Sequence, residues 1–251
     1  MRPRIIPGFQ ISKGELVHII EFNKNSKRYI GDPLNTLRIF NQFDCDEISI
    51  VDVDAWKNGI DFGLLEKISE EIFLPLSYGG GINDFKEASK IIGLGFEKII
   101  FNDTIFSNIN LIEEFAKHFG SQAVVLKVNV VKSQNIYKIY DHKNDLILDE
   151  NLELFLKKLN NIEASEISVI VKNLDGSFSG PDLFFINYAK KIIDKHFIYS
   201  GGISKETDFK DCFNAGANAV ITNNFFIMKK KNGGIIFSNP KDVKRQTDDR
   251  V

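Results

Sequence analysis

The chain has very little of what metal centres and disulfide frameworks are built from. Its two cysteines, Cys45 and Cys212, are too few to staple a fold and have no histidines at metal-ligand spacing, while His18, His118, His142 and His196 are scattered along the sequence. The expectation is a reduced protein with no metal and no cofactor. An excess of one charge is missing too: 32 Lys and Arg against 34 Asp and Glu leave a net −2, which gives no reason to expect nucleic acid as a partner. No apolar run approaches the roughly 18 residues that a membrane span requires, and no signal-like apolar segment precedes the strand-like run at Arg4, so the expected setting is the cytoplasm, with no membrane partner. Linkers and low-complexity stretches are lacking as well. The 251 residues are therefore expected to form one domain, 1–251.

What is present is the material of a large core, since 43% of the residues are hydrophobic and 26% charged. Short β-branched runs recur at Arg4–Phe9, Glu47–Val51, Leu74–Tyr78, Lys98–Phe101, Ala123–Val128, Glu166–Val171, Phe197–Ser200 and Ala219–Thr222. Amphipathic stretches fill the gaps, at about Pro33–Phe43, Phe62–Ile72, Asp84–Leu94, Ile109–Phe119, Asn151–Asn161, Asp182–Asp194 and Lys205–Asn214. Alternation of this kind implies parallel strands with right-handed crossovers, and eight such strands close into a (β/α)8 barrel, a TIM barrel, for which this length is typical. Val130 to Leu148 interrupt the fifth unit. There Ile136–Tyr140 and Leu146–Leu148 flank Asn144-Asp145 in the pattern of a hairpin. Beyond the eighth strand, Phe225–Met228, a turn from Lys229 to Gly234, and Ile235–Phe237 before Asn239-Pro240 suggest a short ribbon in place of a long helix. The three lysines of that turn, Lys229 to Lys231, suit solvent, or less often an acidic or phosphate partner.

Two stretches of the chain nearly copy each other. Tyr78-Gly79-Gly80-Gly81-Ile82 returns as Tyr199-Ser200-Gly201-Gly202-Ile203, and at the same spacing Gly95 corresponds to Gly216, Asn102 to Asn223 and Asp103 to Asn224. Glycine lets backbone approach a ligand closely, and free N–H groups at a helix start favour an anion. Each copy therefore reads as half of a phosphate site: Gly80, Gly81, Asn102 and Asp103 in one, Gly201, Gly202, Thr222 and Asn223 in the other. The second is expected to be the stronger, because Asp84 and Asp103 place negative charge in the first, whereas Ser204 is expected to start the second helix. Duplication turns a pair of ordinary tight turns into a candidate site for a ligand with a phosphate at each end.

Charge is also placed periodically. Arg4, Glu47, Lys98 and Glu166 open the first, second, fourth and sixth expected strands, at heights that a barrel turns into inward-facing layers. Two positive and two negative groups can close into a neutral ring, which by itself is as consistent with a structural plug as with a gate.

In order along the chain, Arg4-Ile5-Ile6-Pro7, Val51-Asp52, Gly79-Gly80-Gly81-Ile82, Phe119-Gly120-Ser121-Gln122, Asp175-Gly176-Ser177 and Ser200-Gly201-Gly202 resemble the landmarks of the HisF family, the cyclase subunit of imidazole glycerol phosphate synthase. The resemblance runs from about residue 2 to residue 226. It implies a barrel that takes ammonia from a HisH-like glutaminase docked on the bottom face and uses it at the top face on a substrate with two phosphates. It also implies that Gly176 and Ser177 contact phosphate and that Arg4, Glu47, Lys98 and Glu166 are the ammonia gate.

The departures from that family carry as much information. Its two aspartates at the ends of the first and fifth strands correspond to Gln10 and Asn129 here. An amide is nearly isosteric with a carboxylate but does not titrate near neutral pH, so it preserves shape and hydrogen bonds while losing proton transfer. As polar groups at strand ends, the two can equally be ordinary caps. Asp175 is the remaining acid that the resemblance places near the substrate, and it is the first candidate for any proton transfer that persists. His18 stands where the family has a lysine. The tail from Met228 to Pro240 is similar to that of a HisF-like branch, the WbuZ type, which with a glutaminase provides ammonia to a downstream ATP-using amidating enzyme in surface-polysaccharide sugar biosynthesis. The sequence thus favours an ammonia-conducting barrel with impaired cyclase chemistry. The alternatives are a divergent cyclase of histidine biosynthesis and a non-catalytic barrel binding a phosphorylated small molecule.

Overall fold

A computed structural model describes residues 2–134, 136–228 and 233–240. The strands are β1 (Arg4–Ser12), β2 (Glu15–Ile20), β3 (Asn23–Gly31), β4 (Ile48–Asp52), β5 (Leu76–Gly79), β6 (Lys98–Phe101), β7 (Val124–Ser133), β8 (Ile136–Asp141), β9 (Leu146–Ile147), β10 (Glu166–Val171), β11 (His196–Ser200) and β12 (Ala219–Thr222). The helices are α1 (Pro33–Arg38), α2 (Ala55–Asn58), α3 (Phe62–Glu71), α4 (Phe85–Gly93), α5 (Thr104–Ser107), α6 (Ile109–Phe119), α7 (Leu152–Leu159), α8 (Leu183–Lys190), α9 (Glu206–Asn214) and α10 (Asn224–Ile227). Strands β1, β4, β5, β6, β7, β10, β11 and β12 pair in parallel, and β10 pairs back onto β7, so the ring closes as a (β/α)8 barrel. Its outer layer buries one continuous apolar cluster between strands and helices, in which Phe40, Phe96, Phe101, Phe115, Phe185 and Phe209 are among the largest fully buried side chains.

Helix starts follow local chemistry. Asp61, Asp84, Asn108, Asn151 and Asp182 each accept a hydrogen bond from the backbone N–H three residues ahead, at the starts of α3, α4, α6, α7 and α8. Helix α9 begins at Glu206 rather than at Ser204, with Lys205 as its cap. Its own Asp208 accepts from the N–H groups of Ser204 and Lys205, so both helices that follow the repeated glycines have a carboxylate on their first turn.

Other departures from the sequence pattern lie at the rims. Residues 15–31 form an antiparallel hairpin, β2 and β3, which the sequence reading missed. Strand β3 is a polar run without alternation, and the turn before it puts Glu21 and Phe22 at φ 53° and 61° without a glycine to announce it. The stretch expected as one helix from Pro33 to Phe43 is α1 followed by a tighter 3₁₀ turn, Ile39–Gln42. The expected hairpin after the fifth barrel strand is present as β7, β8 and β9. At the tail, Met228 bridges Ile235 in antiparallel fashion and Ile236 donates its N–H to the Ile227 carbonyl, but Phe225 to Ile227 coil into α10 instead of joining the expected ribbon. Lys229 to Lys231 and Asn232 lie outside the described residues. No described helix is long and apolar enough to cross a membrane.

Candidate functional site

Strand pairing sets which side chains share the barrel interior. On β1 the inward row is Arg4, Ile6, Gly8 and Gln10; on β7 it is Val125, Lys127 and Asn129, with Lys127 beside Ser168 of β10. Along this axis runs a cavity of about 270 Å³ that opens among the loops at the carboxyl ends of the strands and reaches down to Glu47.

The bottom of the barrel is closed by the four charges. Arg4 Nη1 lies 3.0 Å from Glu47 Oε2 and Arg4 Nη2 pairs with Glu166. Lys98 Nζ lies 2.6 Å from Glu47 Oε2 and 3.2 Å from Glu166 Oε2, so every positive group touches both negative ones. Both glutamates are 4% exposed, and burial of that degree is tolerable only because the ring is neutral and complete.

At the top, the two amides are engaged in structure. Gln10 Oε1 accepts the Ile19 N–H at 3.0 Å, tying β1 to the missed hairpin. Asn129 Nδ2 donates to Asn102 Oδ1 at 3.1 Å and lies 3.3 Å from His142 Nδ1, while Asn102 Nδ2 donates to the Lys127 carbonyl at 2.6 Å. His142, contributed by the β8–β9 hairpin, also meets Asp103 at 3.3 Å. Burial raises the Asp103 carboxyl above its usual range, with His142 opposing the shift, so the charge expected to weaken the first phosphate half-site has a partner. The mouth is roofed from both insertions, whose Phe22 and Tyr140 rings stand 6.0 Å apart.

The glycine pairs repeat in three dimensions. Gly80 and Gly81 have φ of 124° and 67°, Gly201 and Gly202 of 120° and 79°. A Cβ on Gly80 would collide with the Asp52 carbonyl at the end of β4, and one on Gly201 would come within 3.0 Å of the Val171 carbonyl at the end of β10. Both pairs border the cavity, as do Asn102, Asp103, Gly176, Thr222 and Asn223, whereas Ser177 does not and gives its hydroxyl to the Leu174 carbonyl at 2.9 Å. Thr222 likewise spends its hydroxyl proton on the Ile203 carbonyl at 2.8 Å, which leaves its oxygen as an acceptor only.

Asp175 is the most perturbed acid of the mouth. Only 9% exposed, with Oδ2 lacking a hydrogen-bond partner among the described residues, it has its pKa pushed up to about 7 by burial, against the pull of Lys127 and with a small addition from Glu21. Burial and the Arg28 charge lower the His18 pKa to about 4, against a contribution from Asn223, so this ring is neutral and cannot serve as a phosphate-binding cation.

Two features of the cavity were not anticipated. Ser49, Ser77, Ser168 and Ser200, buried and lining it, make no hydroxyl hydrogen bond to another described residue. Lys127 sits two residues below Asn129. Strand parity could have found all of them: Ser49 shares a face with Glu47, and Lys127 interrupts the apolar run from Val124 to Val128 on the face of Asn129.

Comparison with known proteins adds to this geometry. The family model described as histidine biosynthesis protein matches residues 4–231. A Leptospira interrogans protein provisionally named as subunit HisF of imidazole glycerol phosphate synthase is 32% identical over 245 residues, 96% of each chain. A Campylobacter jejuni protein provisionally named as subunit HisF2 is 33% identical over 247 residues, 98% of this chain and 95% of its own, and a Helicobacter hepaticus protein named as subunit HisF is 33% identical over 230 residues, 90% of each. The chain belongs to the HisF family.

Proposed function

From membership in that family and the shape of the interior, we propose that this barrel conducts ammonia from a HisH-like glutaminase at its bottom face to an amidation reaction at or beyond its top face, with little cyclase chemistry of its own. The observation that carries this reading is the continuity of one cavity from Glu47 of the charged ring to Gln10, Asn129 and Asp175 at the mouth. Ammonia is a small neutral hydrogen-bonding molecule, and the four inward serines offer it partners beside the apolar side chains of Ile100, Val125 and Ile198. Passage at the bottom requires one ion pair of the ring to open while the others hold the strands, and Lys98, a single flexible stem, is the natural moving part. Phe73, 85% exposed in the loop ahead of β5, gives that face an apolar anchor for a docked subunit.

The top face supports the loss of cyclisation. Gln10 and Asn129 occupy the mouth without a titratable proton, so neither can relay one during ring closure. The glycine N–H groups and the neutral Asn223 suit phosphate at the second half-site before the first, where Asp103 stands. The role in surface-polysaccharide sugar amidation, with a downstream ATP-using enzyme as acceptor, rests on the similarity of the tail. A divergent cyclase of histidine biosynthesis is the second reading, favoured by Asp175, whose carboxyl titrates near neutrality in the cavity. Mixing the purified chain with a HisH-like glutaminase and following both co-elution and stimulation of glutamine hydrolysis tests the proposal; a glutaminase that neither binds nor responds would overturn it.

A further inference from the structure

Lys127 has no role in the function proposed above, and its placement is costly. It projects, half-buried, from the middle of a barrel strand into the cavity that opens at the mouth, with Ile100 and Ile170 among the lining, and its Nζ makes no hydrogen bond or ion pair with another described residue. A lysine needed only for structure would be paired, as Lys98 is at the bottom of the barrel, or would carry its charge to solvent. Above it stands Asp175, buried and with a free carboxyl oxygen.

We propose that Lys127 is a nucleophile that captures the carbonyl group of a phosphorylated aldehyde or ketone as a Schiff base, with Asp175 as the acid that serves it. Three conditions for this chemistry meet here. The amine must be able to shed its proton, and burial lowers the Lys127 pKa from the ordinary lysine value, with Asp175 opposing. A proton donor must be at hand, and the Asp175 carboxyl is raised into the neutral range. The electrophile must be held, and the two left-handed glycine pairs with Asn223 line the same cavity and offer backbone N–H groups to a phosphate.

The step balances without an oxidant or reductant. The Nζ lone pair attacks the carbonyl carbon and the oxygen gathers protons, one from the amine and one from Asp175. It leaves as water, and the product is a C=N iminium on Lys127 beside the Asp175 carboxylate. Capture shares this cavity with the proposed ammonia route but needs neither the glutaminase nor passage through the ring, so it can be tested apart from them.

The test uses the full chain alone with glyceraldehyde 3-phosphate and sodium cyanoborohydride, which delivers hydride to an iminium and fixes it as a secondary amine. Intact mass followed by peptide mapping should show one dominant adduct on Lys127, suppressed by inorganic phosphate and weaker with unphosphorylated glyceraldehyde. Lys127→Met and Lys127→Arg, checked for folding by circular dichroism, should both lose it, and Asp175→Asn should slow its formation. Labelling spread over surface lysines in the wild-type chain, or an adduct yield unchanged in both Lys127 variants, would overturn the proposal; an unchanged rate in Asp175→Asn would remove Asp175 from it.

Discussion

The two ends of the barrel treat charge in opposite ways. At the bottom, Arg4, Glu47, Lys98 and Glu166 satisfy one another in a closed ring, and no member lacks an opposite partner. At the top, two of the positions where the family resemblance places acids are amides used as struts, and the acid that remains, Asp175, is buried with one oxygen unpartnered. A paired ring can be retained for structure or for gating, but an unpartnered buried carboxyl opposes stability and persists where its environment serves a purpose. The contrast supports the proposal of passage at the bottom and a changed chemistry at the top.

The largest effect that would sharpen this contrast concerns the amides. A positioned acid or base is worth about 10² to 10⁴ in rate, so the chain supplied with ammonium should turn over the family's bisphosphate substrate at least about 10⁴-fold more slowly than an ordinary cyclase. Replacing Gln10→Asp and Asn129→Asp together should recover part of that loss in the same assay. No recovery would mean that the pocket, and not only its acids, has diverged.

Next comes the ring. Removing one partner from a buried ion-pair network leaves uncompensated charge, so Glu166→Gln should lower the free energy of unfolding by about 3 kcal/mol in denaturant titrations. A change below about 1 kcal/mol would show the bottom to be wet and its charges individually dispensable.

A smaller effect separates the two half-barrels. Alanine at Gly80 suffers both its φ of 124° and a collision with the Asp52 carbonyl, whereas at Gly201 the contact with Val171 is a tight 3.0 Å. Gly80→Ala should cost about 2 to 3 kcal/mol and Gly201→Ala about 1 to 2. Equal losses would mean that the loops relax alike.

The effect smallest in the wild-type chain is a pH dependence, because two opposite contributions cancel. Asp175, raised to about 7 from an ordinary value of 3.8, binds its proton more tightly in the folded chain, so its contribution lowers stability as pH rises between those values. His18, lowered to about 4 from 6.5, does the opposite and raises stability with pH across that window. Each slope reaches about 1.4 kcal/mol per pH unit at most, and between pH 4 and 6.5 they oppose each other. Asp175→Asn should therefore unmask a rise with pH, and His18→Gln a fall, in urea titrations between pH 4.5 and 6.5. Identical profiles in both variants would contradict the assigned shifts.

Much of this molecule could be read from its sequence, for physical reasons. The barrel strands are short β-branched runs between amphipathic stretches, and the glycine pairs advertise backbone that a side chain would obstruct. The ring was legible because charges at strand starts have a fixed inward parity. The hairpin of β2 and β3 was not legible, because β3 is polar and its turn uses Glu21 and Phe22 in place of glycine. With it went the structural use of Gln10, whose partner Ile19 lies on that hairpin. His142 reaches Asp103 and Asn129 only through the folding of an insertion over the mouth, a juxtaposition that no local spacing records. Helix α9 lies where expected, but its start is not at Ser204, because its own Asp208 ties down the N–H groups of Ser204 and Lys205.

The central claim is that the bottom face still receives ammonia while the top face no longer cyclises, and one titration addresses both halves. The chain and a HisH-like glutaminase are mixed with glutamine and the family's bisphosphate substrate, and complex formation, glutamate release and cyclised product are followed together. The account predicts a stable complex that hydrolyses glutamine and makes no cyclised product above the glutamine-free background. Product formed in step with glutamate, at a rate within about tenfold of an ordinary cyclase, would contradict it.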